Sequence, residues 1–133
     1  MKAVWVDANI LLRLFTGEPK AQAGRAAALA RKAAKGQIVL RVSLITVAEI
    51  VWVLHRFYKF PAGTIASTLT AFLCAEGVAV ESRDALLDAL ALMAREKVDF
   101  ADALLAVQSQ GSGEPVASFD ADFGRLGVEL YPV

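Results

Sequence analysis

Residues 2–15 read KAVWVDANILLRLF, and the change of period within them sets the fold. Lys2 to Val6 is a short run rich in β-formers. Asn9 to Phe15 then places apolar residues at helical spacing until Gly17 and Pro19 stop it. The stretch is a strand followed at once by a helix, and the same alternation continues outward. Ala21 to Lys35 is an alanine-rich helix former with spaced basic residues, ending at Gly36, and Ile38 to Val42 is a strand of the buried type. Ser43 is an N-cap, with Val42 and Val47 at the positions of a hydrophobic staple, for a helix from Leu44 to about Tyr58. Pro61 and Gly63 break it. Thr64 to Ala75 is a helix ended by Gly77, Val78 to Glu81 a short strand, Ala85 to Lys97 a helix, and Asp99 opens another through Gln110. Gly111 to Pro115 has loop composition, Val116 to Phe119 is a strand, and after a turn Val128 to Tyr131 is extended.

Strands alternating with helices imply parallel pairing, because parallel neighbours need crossover connections. The expected architecture is an α/β fold, a three-layer α/β/α sandwich around a mostly parallel central sheet. In such sheets ligands bind beyond the carboxyl ends of the strands. The 133 residues suit one domain, residues 1–133, with little room for a second core. The chain is 56% hydrophobic, yet no stretch reaches the roughly 20 apolar residues a membrane span requires. Asp7, Asn9 and Arg13 interrupt the first apolar run, so a signal peptide is not expected. The single cysteine, Cys74, has no internal partner and sits between Leu73 and Ala75 like a buried small apolar residue, which points to the cytoplasm. Lys and Arg number 14 and Asp and Glu number 14, so any nucleic-acid contact must be local rather than a product of bulk charge. The apolar surplus in so short a chain points to hydrophobic surface covered by another subunit or partner.

The acids carry the chemistry. Asp7 follows one strand and Asp120 another, which would bring both to one sheet edge. Asp99 and Asp102 are three apart at a helix start and share a face. Glu49 lies within the otherwise apolar Thr46–Trp52, where an acid is out of place unless it faces a polar pocket. Each of the others also has a structural explanation. Asp7 or Asn9 would cap the first helix, Asp99 and Asp102 suit the N-cap and third helical positions, and Asp120 and Asp122 suit a turn. Glu49 lies beyond the first turn of its helix, where capping does not account for it.

Together the acids mean more than singly. Four carboxylate segments converging without a matching set of basic residues repel one another, and such a cluster is stable chiefly around a hard cation. Magnesium or manganese is the natural occupant. Such an ion keeps positions open for water and phosphate oxygens, so phosphodiester hydrolysis is the leading chemistry. Other plans are poorly supplied. The one histidine, His55, lies in an apolar helix, Cys74 has no neighbouring base, and Gly111-Ser112-Gly113 lacks the lysine and helix of a P-loop.

Val4–Arg13, Ser43–Glu49, Asp99–Ala106 and Ala117–Phe123, in this order over essentially the whole chain, resemble the PIN-domain ribonucleases, specifically the VapC-type toxins of toxin–antitoxin pairs. The resemblance implies that Asp7, Glu49, Asp102 and Asp120 are the metal-site acids. Asp99 and Asp122 would be close or supporting acids, and Asn9, Thr46 and Ser118 would orient the site. It further implies magnesium, replaceable by manganese, and water attack on RNA without use of the 2′-hydroxyl. It implies as partners a small VapB-type antitoxin, whose basic side chain approaches the acids, and a second copy of the chain in a homodimer. Of the neighbouring Asp120 and Asp122, the first after the strand is the expected ligand.

Arg13, Arg41, Arg56, Lys59 and Arg83 are candidates for RNA contact as well as ordinary surface charge. Trp52, Phe57, Tyr58 and Phe60 are candidates for a partner groove as well as for the core. A receiver-type phosphoacceptor module fits less well, since Asp7 stands alone and no lysine follows Lys97. A haloacid-dehalogenase-like phosphatase would want an acid where Asn9 stands. A metal-binding PIN-like module acting through partner binding alone is the remaining alternative.

Overall fold

A computed structural model describes residues 1–133. Their contacts divide the chain into two compact units, Met1–Ser82 and Arg83–Val133.

The first unit contains β1 (Lys2–Trp5), α1 (Ala8–Thr16), α2 (Lys20–Ala34), β2 (Ile38–Val42), α3 (Leu44–Arg56), α4 (Ala62–Leu73) and β3 (Val78–Val80). The strands form one sheet in the order β1-β2-β3, parallel throughout, with Lys2 opposite Ile38 and Leu40 opposite Val78. The α/β class and parallel pairing expected from the alternating pattern are therefore present. Leu11, Leu40, Val47, Ile50, Ile65 and Leu69 are at most 1% exposed. Full burial of one such side chain contributes about 1.5–3 kcal/mol, so this apolar core outweighs any single surface contact.

Local chemistry fixes the element ends. Ser43 caps α3, its hydroxyl accepting the Thr46 N–H at 3.1 Å and donating to Thr46 Oγ1 at 2.8 Å. Val42 and Val47 are both buried, as the staple requires. Helix α2 buries only Ala26 and Ala33, so alanine propensity as well as packing sustains it. Before β3 the chain passes Gly77 at φ +81°, where an added Cβ would run into the Ala33 carbonyl. Gly77 also accepts the Leu40 N–H at 2.7 Å, which holds the loop close against the sheet.

The second unit contains α5 (Arg83–Glu96), α6 (Phe100–Ser112), β4 (Val116–Ala117), a 3-10 helix (Ala121–Leu126) and β5 (Leu130–Tyr131). Leu86, Ala89, Leu90, Phe100, Ala103 and Ala106 are buried. The alanines on α6 present no bulk to their neighbours, which suits close helix packing. Strands β4 and β5 pair parallel, Val116 with Leu130, and the 3-10 helix lies in the connection between them.

Three expectations are corrected here. Helix α6 runs through Gly111 and Ser112 and stops at Gly113, whose φ of +72° gives the left-handed cap, so loop composition does not begin at Gly111. Strand β4 ends at Ala117 and pairs with β5 in a sheet of its own, so Asp120 is separated from it by Ser118 and Phe119. Cys74 is exposed at the C-cap of α4 rather than buried, because α4 ends at Leu73 and its last inward position is already filled. No helix is long and apolar enough to cross a membrane.

Candidate metal and nucleic-acid site

Within the second unit four carboxylates share one cleft. Asp99, Asp102, Asp120 and Asp122 line a cavity of about 220 Å³, together with Lys97 and Arg125. Two helix ends and a turn supply them. Lys97 follows α5, Asp99 stands immediately before α6, and Asp102 lies in its first turn. Asp120 stands at the N-cap of the 3-10 helix.

The cleft discriminates between the capping and site readings of its acids. Asp99 has the backbone conformation of an N-cap, yet its side chain makes no capping hydrogen bond. Its carboxylate is thereby left without the duty that would explain it structurally. Asp120 is a true turn residue: its Oδ1 accepts the Asp122 N–H at 2.9 Å, and its own N–H donates to Ser118 Oγ at 2.9 Å. Ser118 therefore orients the Asp120 backbone, and Asp120 in turn orients Asp122.

Electrostatics ties the group together. The Asp102 carboxyl is held above its ordinary value of 3.8, first by burial and then by the negative charges of Asp99 and Asp120. Of the two neighbouring acids after β4, it is Asp120 whose charge reaches Asp102. Four carboxylates face two basic groups across this cleft, an excess of negative charge that fits a hard, oxygen-liganded cation. No group of three His, Cys, Asp or Glu side chains is drawn tightly enough together to hold an ion as they stand.

The first unit carries the other expected site residues. Asp7 caps α1, its Oδ1 accepting the Ile10 N–H at 3.1 Å, while Asn9 is exposed in the first turn of that helix. Thr46 is held by Ser43 one helical turn before Glu49. Glu49 is exposed, on a face of α3 shared with exposed Ile45 and Trp52. The premise that the surrounding apolar sequence leaves an acid out of place there is corrected, since positions 45, 49 and 52 all look outward. Trp52 and Phe57 are exposed and meet edge to face at 5.5 Å, whereas Tyr58 and Phe60 are half-buried.

Two site-lining residues escaped the sequence reading, Lys97 and Arg125. The available signals were a lysine at the stop of a helix two residues before Asp99, and an arginine in the turn that carries Asp120.

The class these features define is an α/β protein with a carboxylate-lined cleft suited to a hard divalent cation. The PIN domain family model matches residues 4–129, and the chain belongs to the PIN domain family. That family is a nuclease fold whose members are typically metal-dependent. No curated protein sequence matches the chain.

Proposed function

We propose that this PIN-domain protein is a magnesium-dependent endoribonuclease acting as the toxin of a toxin–antitoxin pair, restraining translation and growth in the cytoplasm. The observation that carries the proposal is the cleft lined by Asp99, Asp102, Asp120 and Asp122, where burial first, and then the charges of Asp99 and Asp120, raise the Asp102 carboxyl. Carboxylates gathered on the wall of one cleft are suited to a divalent cation that draws them inward.

Asp7, Glu49, Asp102 and Asp120 would hold the ion, with Asp99 and Asp122 beside them and Asn9, Thr46 and Ser118 orienting the set. When bound, magnesium, or manganese in its place, lowers the pKa of a coordinated water and offsets charge developing on phosphorus. The chain's own groups supply the rest. Asp7 and Asp120 are fixed by backbone N–H groups and cannot swing freely, while Asp99, free of capping, is able to accept a proton or hydrogen bond from an incoming water. With His55 as the one histidine in the chain, a general acid and base of imidazole type is poorly supplied.

A family model that runs across both compact units supports reading residues 1–133 as one nuclease domain. Exposed Ile45, Trp52 and Phe57 on and just after α3 support a surface for a partner, read here as a small VapB-type antitoxin and a second copy of the chain. The test is cleavage of a mixed cellular RNA pool by the purified, antitoxin-free chain with magnesium or manganese, with chelator, and with Asp7→Asn. Metal-dependent cleavage lost in the variant supports the proposal. A folded, metal-loaded protein that cuts no RNA overturns it in favour of a binding module.

A further inference from the structure

We infer that Lys97 and Arg125 form a basic rim that binds phosphate groups of the RNA strand beside the carboxylates. The inference rests on the nuclease reading and names how that site holds its substrate.

Lys97 occupies a position that favours glycine. It follows the last residue of α5 at φ +57°, and its N–H donates to the Met93 carbonyl at 3.0 Å, closing the helix. Left-handed backbone is disfavoured for a residue with a Cβ, and helices usually place glycine at this point. Strain alone is not informative, since Lys59 shares the conformation. What sets Lys97 apart is that it lines the carboxylate cleft. A lysine stands where glycine would fold more easily, and on the wall of a cleft lined by four acids it brings a cation to that cleft.

Arg125 reaches the same cleft from the 3-10 helix and is anchored on one side. Its Nη1 donates to the Glu96 carbonyl at 3.1 Å and to Glu96 Oε2 at 3.2 Å. Both hydrogen bonds use the same nitrogen, so Nε and Nη2 keep their donors for another acceptor. A guanidinium held at one end with its remaining fork unengaged is suited to phosphate oxygens. Glu96 directly precedes Lys97, so one helix end sets both cations.

The acids alone would repel a polyanion, whereas two basic groups on the cleft wall let a strand approach it. Neither group is placed as a catalytic residue; both hold the strand.

Binding of a labelled mixed-sequence RNA 12-mer, with calcium replacing magnesium, tests the rim in wild type, Lys97→Gly and Arg125→Gln over a salt series. Each variant is expected to bind on the order of tenfold more weakly. The slope of log K against log salt should also fall by about 0.7 for each phosphate contact removed from a single strand. Lys97→Gly should at the same time raise the Tm, because glycine relieves the left-handed backbone, which separates lost binding from lost folding. Unchanged affinity and slope in both variants overturn the inference. RNA that is bound by wild type with the full slope but never cleaved under magnesium overturns the nuclease reading instead, and the rim still stands or falls on binding.

Discussion

Asp7 Oδ1 accepts the backbone N–H of Ile10 at 3.1 Å, so the acid proposed as a metal ligand is also the N-cap of α1. The two duties separate by substitution. Asparagine caps as well as aspartate but carries no charge, whereas alanine does neither. Asp7→Asn should therefore keep the wild-type Tm and lose RNA cleavage. Asp7→Ala should lose cleavage and about 1 kcal/mol of stability as well. Thermal melts alongside a cleavage assay decide it, and cleavage retained by Asp7→Asn would remove Asp7 from the site.

Asp99 offers the reverse case. It stands at the N-cap position of α6 without a capping hydrogen bond, and its charge bears on Asp102. Losing a favourable helix-dipole interaction of roughly 0.5 kcal/mol is set against relief of that repulsion. Asp99→Ala should then change folding stability by no more than about 0.5 kcal/mol while reducing metal-dependent cleavage. A loss near the 1 kcal/mol typical of a true cap would return Asp99 to a structural role.

Much of this arrangement is legible in the sequence. The strand–acid–helix order of Lys2–Phe15 with Asp7 as its cap, the Ser43 cap with its Val42 and Val47 staple, and the places of Asp99 and Asp102 at a helix start all rest on local chemistry. What escaped depends on tertiary placement. The 3-10 helix Ala121–Leu126 is too short to show apolar periodicity and reads as a turn. Gly111 looks like a stop, yet the helix continues to Gly113 because only there does the backbone turn left-handed. The outward position of Glu49 depends on which face of α3 packs inward, and an apolar stretch does not reveal that. Lys97 and Arg125 are ordinary surface cations until the fold sets them on one cleft.

Gly77 carries a structural prediction in the first unit. At φ +81° it passes so close to Ala33 that a Cβ would meet the backbone carbonyl, which cannot rotate away as a side chain would. Gly77→Ala combines left-handed strain with this clash, and is expected to cost more than about 2 kcal/mol. Denaturant unfolding with an unchanged m-value would register it as a drop in midpoint. Gly24→Ala, in α2 with open space around it, should be neutral or stabilising by up to about 1 kcal/mol and serves as the control.

The raised Asp102 carboxyl makes the stability of the metal-free protein depend on pH in a definite direction. Its folded pKa lies above the unfolded value, so the folded state holds the proton more tightly. The resulting stabilisation is fully present below the unfolded pKa, near 3.8, and is lost as pH rises through the folded value. Once Asp102 is ionised, its burial and the repulsion from Asp99 and Asp120 both oppose folding. Asp102→Asn removes that charge, so its metal-free Tm should exceed the wild type's at pH 7 and converge on it below about pH 4. Added magnesium should reverse the order at pH 7, because the ion stabilises the carboxylate form in proportion to how well it binds. A Tm difference between the metal-free proteins that is the same at both pH values would mean that Asp102 affects folding through packing, and that repulsion in the cleft is not what a cation relieves.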